Sequence, residues 1–195
     1  MKKIFCLMFV AFIAMAAQAQ ITWNAKAGLG FAKCKSDMAT KNALVWKAGV
    51  GLEKPLSANW SIMPSLEFAM KGTKYAEGRV SIGVSEPELS LSYIQIPVLA
   101  AYRFHVNNSL NMVLKAGPYI AYAIKGDYEG YDIFEKDEFD GEEMGKRLDY
   151  GLDLGVDLEY QRYVVGFEYE YGFSSIEKDF DTKTSAMYLT IGYKF

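Results

Sequence analysis

The chain has 195 residues, 51% hydrophobic and 23% charged, with 17 glycines, 5 prolines and a single histidine. That length suits one domain with a real core, and the composition is neither disordered nor collagen-like. A net charge of −3 argues against a generally basic nucleic-acid binder, and one histidine leaves little room for a metal site built on several imidazoles.

Met1-Lys2-Lys3 is a basic start, followed by an uncharged, mostly apolar run of 14 residues from Ile4 to Ala17. Ala17-Gln18-Ala19 has the small-x-small pattern that signal peptidase accepts, so residues 1–19 read as a signal peptide cleaved before Gln20. As a helix the run would span about 21 Å, short of the roughly 30 Å hydrocarbon core of a bilayer. Cys6 leaves with it. Cys34 is then the one cysteine of the mature domain, 20–195, which must hold without an internal disulfide. Losing Lys2 and Lys3 leaves 19 basic residues against 24 acidic.

From Ile21 onward the period is two. Trp23, Ala25, Ala27, Leu29 and Phe31 share one face, with Asn24, Lys26, Gly28 and Gly30 on the other. Leu44, Trp46, Ala48, Val50 and Leu52 alternate with Val45, Lys47, Gly49, Gly51 and Glu53. Strands follow over 60–71, with Glu67 and Lys71 on the second face, and over 94–104, with Gln95 and Arg103 there. The fifth, over 110–122, sets Asn111, Val113, Lys115, Gly117, Tyr119 and Ala121 on that face. Asp149, Asp153, Asp157 and Glu159 alternate with Leu148, Tyr150, Leu152, Leu154, Val156, Leu158 and Tyr160. The last two, over 163–172 and 187–195, place Glu168, Glu170 and Lys194 on the polar face. That makes eight strands, most long enough for the 9–11 residues a tilted transmembrane strand needs.

Connector lengths alternate as well. Lys54–Asn59, His105–Ser109 and Gln161-Arg162 are short. Cys34–Asn42, Gly72 to Ser90, Lys125–Arg147 and Ser174–Ser185 are longer, and Val80, Ile82 and Val84 hint at strand inside the second of these. The layout predicts an all-β fold: an eight-stranded antiparallel up-and-down transmembrane β-barrel with short periplasmic turns and longer extracellular loops.

Alternation alone does not say which face meets lipid. In a soluble ligand-binding barrel the apolar face would line a pocket. Three features favour lipid outside. The polar face combines glycines with opposed charges: Lys26, Lys47, Lys71, Arg103, Lys115 and Lys194 against Glu53, Glu67, Asp149, Asp153, Asp157, Glu159, Glu168 and Glu170. Such side chains can fill the narrow interior of an eight-stranded barrel as a paired network. Aromatic residues sit near strand ends on the apolar face, among them Trp23, Trp46, Trp60, Tyr122, Tyr150, Tyr160, Tyr163 and Tyr193, as interfacial girdles require. The last strand carries Leu189, Ile191, Tyr193 and a terminal Phe195, which resembles the C-terminal signal by which outer-membrane barrels are recognised for assembly.

Three motifs then come in order. Tyr93-Ile94-Gln95-Ile96-Pro97-Val98-Leu99, Ala116-Gly117-Pro118-Tyr119-Ile120 and Asp149-Tyr150-Gly151-Leu152-Asp153-Leu154-Gly155-Val156 resemble the strand motifs of the outer membrane protein β-barrel domain, or porin-family, proteins. The resemblance covers essentially the mature domain. It implies an eight-stranded barrel of the OmpX/OmpA type in the outer membrane of a Gram-negative bacterium. It implies no single activity, since such barrels serve as adhesins, structural proteins, small-solute channels and occasional enzymes. Its implied partners are outer-membrane lipid and lipopolysaccharide, the barrel-assembly machinery, and an extracellular partner met through the loops.

Chemistry-bearing features are few. Asp127, Glu129, Asp132, Glu135, Asp137, Glu138, Asp140, Glu142 and Glu143 crowd one loop with Lys136. Carboxylates suit divalent cations, but the spacing lacks the ligand periodicity of an EF-hand, and a solvated acidic loop is the plainer reading. His105 lies in a short connector, and Ser92 and Ser109 have no nucleophile-elbow context. The Gly28-x-Gly30 and Gly49-x-Gly51 pairs precede no helix and read as interior glycines. No catalytic residue, cofactor or metal ligand is assigned, and the protein reads as a non-enzyme. Three roles stay open: a structural or surface-interaction barrel with a filled interior, a narrow cation-preferring pore, and a secreted soluble ligand-binding barrel.

Overall fold

A computed structural model describes residues 21–35, 40–75, 88–128, 131–132, 147–174 and 183–195. Eight long strands carry the fold: β1 (Thr22–Lys35), β2 (Thr40–Pro55), β3 (Trp60–Tyr75), β4 (Glu88–His105), β5 (Leu110–Tyr128), β7 (Leu148–Tyr160), β8 (Tyr163–Gly172) and β9 (Lys183–Lys194). A two-residue strand, β6 (Tyr131–Asp132), folds back on the end of β5, pairing Asp127 with Asp132. Each long strand pairs antiparallel with its chain neighbours, and β1 pairs with β9, so the sheet closes on itself. Closure leaves none of the eight long strands as a sheet edge, which a backbone surrounded by lipid cannot tolerate.

β7 shows why the sequence folds this way. Along Leu148–Tyr160 every odd-numbered residue is buried and every even-numbered one exposed. Aspartates, glycines and one glutamate therefore point into the barrel, while leucines, valine and tyrosines point out. A one-residue slip would turn four acidic side chains outward, so the register is strongly specified. The other strands keep the same sense. Leu29, Phe31, Leu44, Trp46, Leu66, Ile120, Leu154, Phe167, Leu189 and Ile191 are all exposed, whereas Lys47, Glu67, Lys71, Lys115 and Glu168 are buried. An apolar exterior around a polar interior is opposite to the arrangement a soluble ligand-binding barrel needs.

Several expected boundaries are corrected. β1 runs on through Cys34 to Lys35 and β2 begins at Thr40, so Cys34, Lys35 and Thr40–Asn42 of the first predicted long connector are strand residues. β3 continues to Tyr75, β4 begins at Glu88, β5 extends to Tyr128 and β9 begins at Lys183. Lys125 and Ser185, placed in loops by the sequence reading, are strand residues, and His105 closes β4 opposite Asn111. Hydrogen-bonded pairing runs on to the strand ends, with Leu89 opposite Tyr128. Val80, Ile82 and Val84 lie outside the described residues. Leu52, expected on the apolar outer face, is instead buried and lines an internal cavity.

Candidate functional site

The interior of the barrel is a stack of ion pairs. At the short-turn end, Arg103 Nη2 lies 2.7 Å from Glu53 Oε1 and 3.0 Å from Glu159 Oε2. Lys194 Nζ lies 2.6 Å from Glu53 Oε2 and pairs with Glu159 as well. Four strands, β2, β4, β7 and β9, thus meet in one balanced quartet. The guanidinium fork of Arg103 suits bridging two carboxylates.

A larger network fills the middle. Glu168 accepts from Lys115 at 2.8 Å and from Lys26 at 2.9 Å, and pairs with Lys47. Lys26 also reaches Glu67 at 2.8 Å, and Lys115 reaches Asp157 at 2.7 Å. Lys47 lies 3.0 Å from Glu170, which in turn lies 3.0 Å from Lys71 and accepts from Gln95 at 2.9 Å. Lys71 closes the series on Asp149 at 3.2 Å, where Tyr119 also donates at 3.1 Å. Aromatic rings flank the two innermost ammonium groups. Lys47 Nζ sits 4.6 Å from the Tyr188 ring centroid, and Lys71 Nζ sits 4.1 Å from that of Tyr119. Buried charges survive only when paired in this way.

Glycine makes room for the long side chains. A Cβ at Gly155 would stand 2.9 Å from Lys115 Cε and 3.2 Å from Glu168 Cγ. The notch there is filled by its neighbours' alkyl stems. Between the quartet and the middle network lies a cavity of about 40 Å³, lined by Asn24, Ser65, Leu99, Asp157, Thr190 and Lys194 among others. That is room for a few water molecules at most and not for an organic ligand.

The outer surface has its own order. Tyr150 and Tyr160 lie ten residues apart on one face of β7, with exposed Leu152, Leu154, Val156 and Leu158 between them. At about 3.3 Å per residue and a tilt near 40°, that is roughly 25 Å along the barrel axis, the height of an outer-membrane apolar band. At the short-turn end Trp60 meets Tyr102 edge-on with centroids 5.0 Å apart, and Tyr163, Tyr193 and Phe195 form a second chain of rings at 5.4 and 5.3 Å. Trp23 carries the backbone carbonyl that accepts from Phe195 N–H at 2.9 Å. Leu189, Ile191 and Phe195 are all exposed on this outer face.

All fourteen charged residues expected to share a face lie inside the barrel, and thirteen of them have an ion-pair partner. The fourteenth, Asp153, is fully buried with no hydrogen bond to either carboxylate oxygen. Of the acidic loop, Asp127 is described, partly exposed and 3.5 Å from Lys125, and Asp132 is placed only as a strand residue. Glu129, Glu135, Asp137, Glu138, Asp140, Glu142 and Glu143 lie outside the described residues. His105 is exposed at the short-turn end, and Ser92 lies thirteen residues back along the same strand, so the two are not brought together. Tyr93, Gln95, Tyr119 and Tyr188, none of them in the expected charge network, are buried inside as well. Gln95, Tyr119 and Tyr188 had been readable by phase, since they alternate with the outward set.

A closed antiparallel barrel with a girdled apolar exterior and an ion-paired interior is a transmembrane β-barrel. The chain belongs to the outer membrane protein β-barrel domain family, whose model matches residues 16–178. That membership places it in the outer membrane. No curated protein matches the chain. Among solved structures, Neisserial surface protein A is 14% identical and aligns over 89% of this chain and 97% of its own, with a TM-score of 0.55. The outer membrane enzyme PagL is 11% identical over 87% and 98%, at 0.52. Ail, the attachment invasion locus protein of Yersinia pestis, is 18% identical over 89% and 98%, at 0.45. At such identities the likeness to Neisserial surface protein A and PagL speaks for the fold alone.

Proposed function

We propose that this protein is a structural and surface-interaction barrel whose filled interior holds up a platform for contact outside the cell. The observation that carries this reading is the mismatch between strand length and membrane thickness. β5 has 19 residues and β4 has 18. At about 3.3 Å per residue and a tilt near 40°, β5 rises roughly 48 Å, about twice the apolar band. Because Tyr160 and Tyr163 fix the lower girdle beside the short turns, the surplus lies at the end that carries the longer connections. A rigid collar standing above the lipid presents loops to other surfaces.

The interior supports a non-enzymatic role. Thirteen of its fourteen charged side chains pair with one another, and the cavity of about 40 Å³ is too small for an organic substrate. On this reading residues 1–19 are the export signal, removed before Gln20, and Leu189, Ile191, Tyr193 and Phe195 are the strand recognised by the assembly machinery. Lipopolysaccharide surrounds the collar.

A test is adhesion of intact cells to immobilised matrix proteins, with and without residues 126–146. The reading expects adhesion to be lost while the folded barrel persists; undiminished adhesion would overturn it. A second reading, a narrow cation-preferring pore, draws support from the excess of carboxylates inside.

A further inference from the structure

The charges of the middle network do not balance. Lys26, Lys47, Lys71 and Lys115 face Glu67, Asp149, Asp153, Asp157, Glu168 and Glu170. The quartet at the short-turn end is neutral within itself, so the deficit of positive charge belongs to the middle alone. Five of its six carboxylates have an ion-pair partner; Asp153 has none. It is 0% exposed, and neither of its oxygens accepts a hydrogen bond.

The surroundings of Asp153 explain why the protein does not satisfy it. Its register partner on β5 is Gly117, which has no side chain to donate. Its register partner on β8 is Glu170, another acceptor, already engaged by Lys47, Lys71 and Gln95. Gln95 gives its Nε2 to Glu170, and its Oε1 is a second buried acceptor with no donor. Both bare acceptors thus belong to residues that neighbour Glu170, Asp153 by register and Gln95 by hydrogen bond. An ionised carboxylate in such a place is costly unless positive charge accompanies it.

We propose that Asp153 holds a small monovalent cation of the sodium or potassium class, with Gln95 Oε1 as a neighbouring oxygen ligand. Hard cations take oxygen ligands, and carbonyl and carboxylate oxygens replace their hydration shell. Among the described residues no group of three or more His, Cys, Asp or Glu is arranged to hold a metal ion, which argues for a single monovalent charge over a chelated divalent one. The cation acts as a structural counter-ion at the one carboxylate without an ion-pair partner and halves the network's excess negative charge.

The experiment follows the folded, faster-migrating band of the unboiled barrel in detergent as temperature rises. It compares sodium chloride, potassium chloride and N-methylglucamine chloride at equal ionic strength. The proposal expects a higher midpoint in a small cation than in the bulky one, and loss of that difference in Asp153→Asn. Equal midpoints in all three salts overturn it. So does an undiminished cation response in Asp153→Asn. Midpoints that differ with pH but not with the cation would mean that a proton supplies the charge, and would also overturn it. Sodium-23 relaxation of the wild-type barrel needs no variant. Broadening that potassium reverses and N-methylglucamine does not supports the site, and its absence contradicts it.

Discussion

Lys47 is the interior residue whose loss should be felt most clearly. Its ammonium group pairs with Glu168, lies 3.0 Å from Glu170 and 3.5 Å from Glu67, and faces the Tyr188 ring. All four residues are essentially fully buried. In Lys47→Met the stem is retained and the charge removed. Breaking a buried pair costs about 3–5 kcal/mol, because a buried charge is left behind. Here each carboxylate keeps another partner: Glu168 keeps Lys26 and Lys115, Glu67 keeps Lys26, and Glu170 keeps Lys71. The lower figure, about 3 kcal/mol, therefore applies, which is roughly a hundredfold in the folding constant. Urea unfolding in lipid vesicles, followed by the unboiled band, measures it. Adding Glu170→Gln should recover part of the loss, since one uncompensated charge disappears. A Lys47→Met barrel within about 0.5 kcal/mol of wild type, an effect typical of surface substitutions, would refute the claim that these pairs hold the interior.

Depth on the outer face should matter. Leu154→Arg, midway between Tyr150 and Tyr160, should cost roughly 2–4 kcal/mol, and Leu158→Arg beside the girdle about 0–1 kcal/mol; equal costs in vesicle unfolding would contradict a lipid-facing surface. Gly155→Val should lose about 1–3 kcal/mol by overpacking against Lys115 and Glu168, read as a lower urea midpoint, and an unchanged midpoint would show that the notch is not needed. Gln161, at the two-residue turn between β7 and β8, has φ of 55°, a conformation glycine adopts at no steric cost. Gln161→Gly should therefore raise the midpoint slightly, by less than about 1 kcal/mol, and a loss of stability would contradict that assignment.

The membrane-spanning part of the fold was legible because lipid outside and charge inside impose a strict alternation. β7 reads the same in sequence and in structure, residue for residue. Beyond the apolar band that constraint lapses. Lys35, Asn42, Ser90 and Lys125 continue their strands where the sequence carries no sustained alternation, so the sequence alone gives loops there. Partners across the interior were not legible either. Lys26 meets Glu168 over 142 residues of sequence, a contact set by the stagger of closed strands and not by local spacing. Asp153 and Glu170 carry the same signal in the sequence. Only the placement of Gly117 on one side and a glutamate already held by two lysines on the other shows that one is paired and the other bare. Leu52 misled because phase puts it outside, whereas it lies against the cavity.

The central claim is that this interior is closed by its own side chains. Planar-bilayer recording of the purified barrel tests it most directly. A side-chain-filled interior passes no steady unit conductance from the wild type in symmetrical potassium chloride. Steady, cation-selective unit currents would contradict it and put the pore reading in its place.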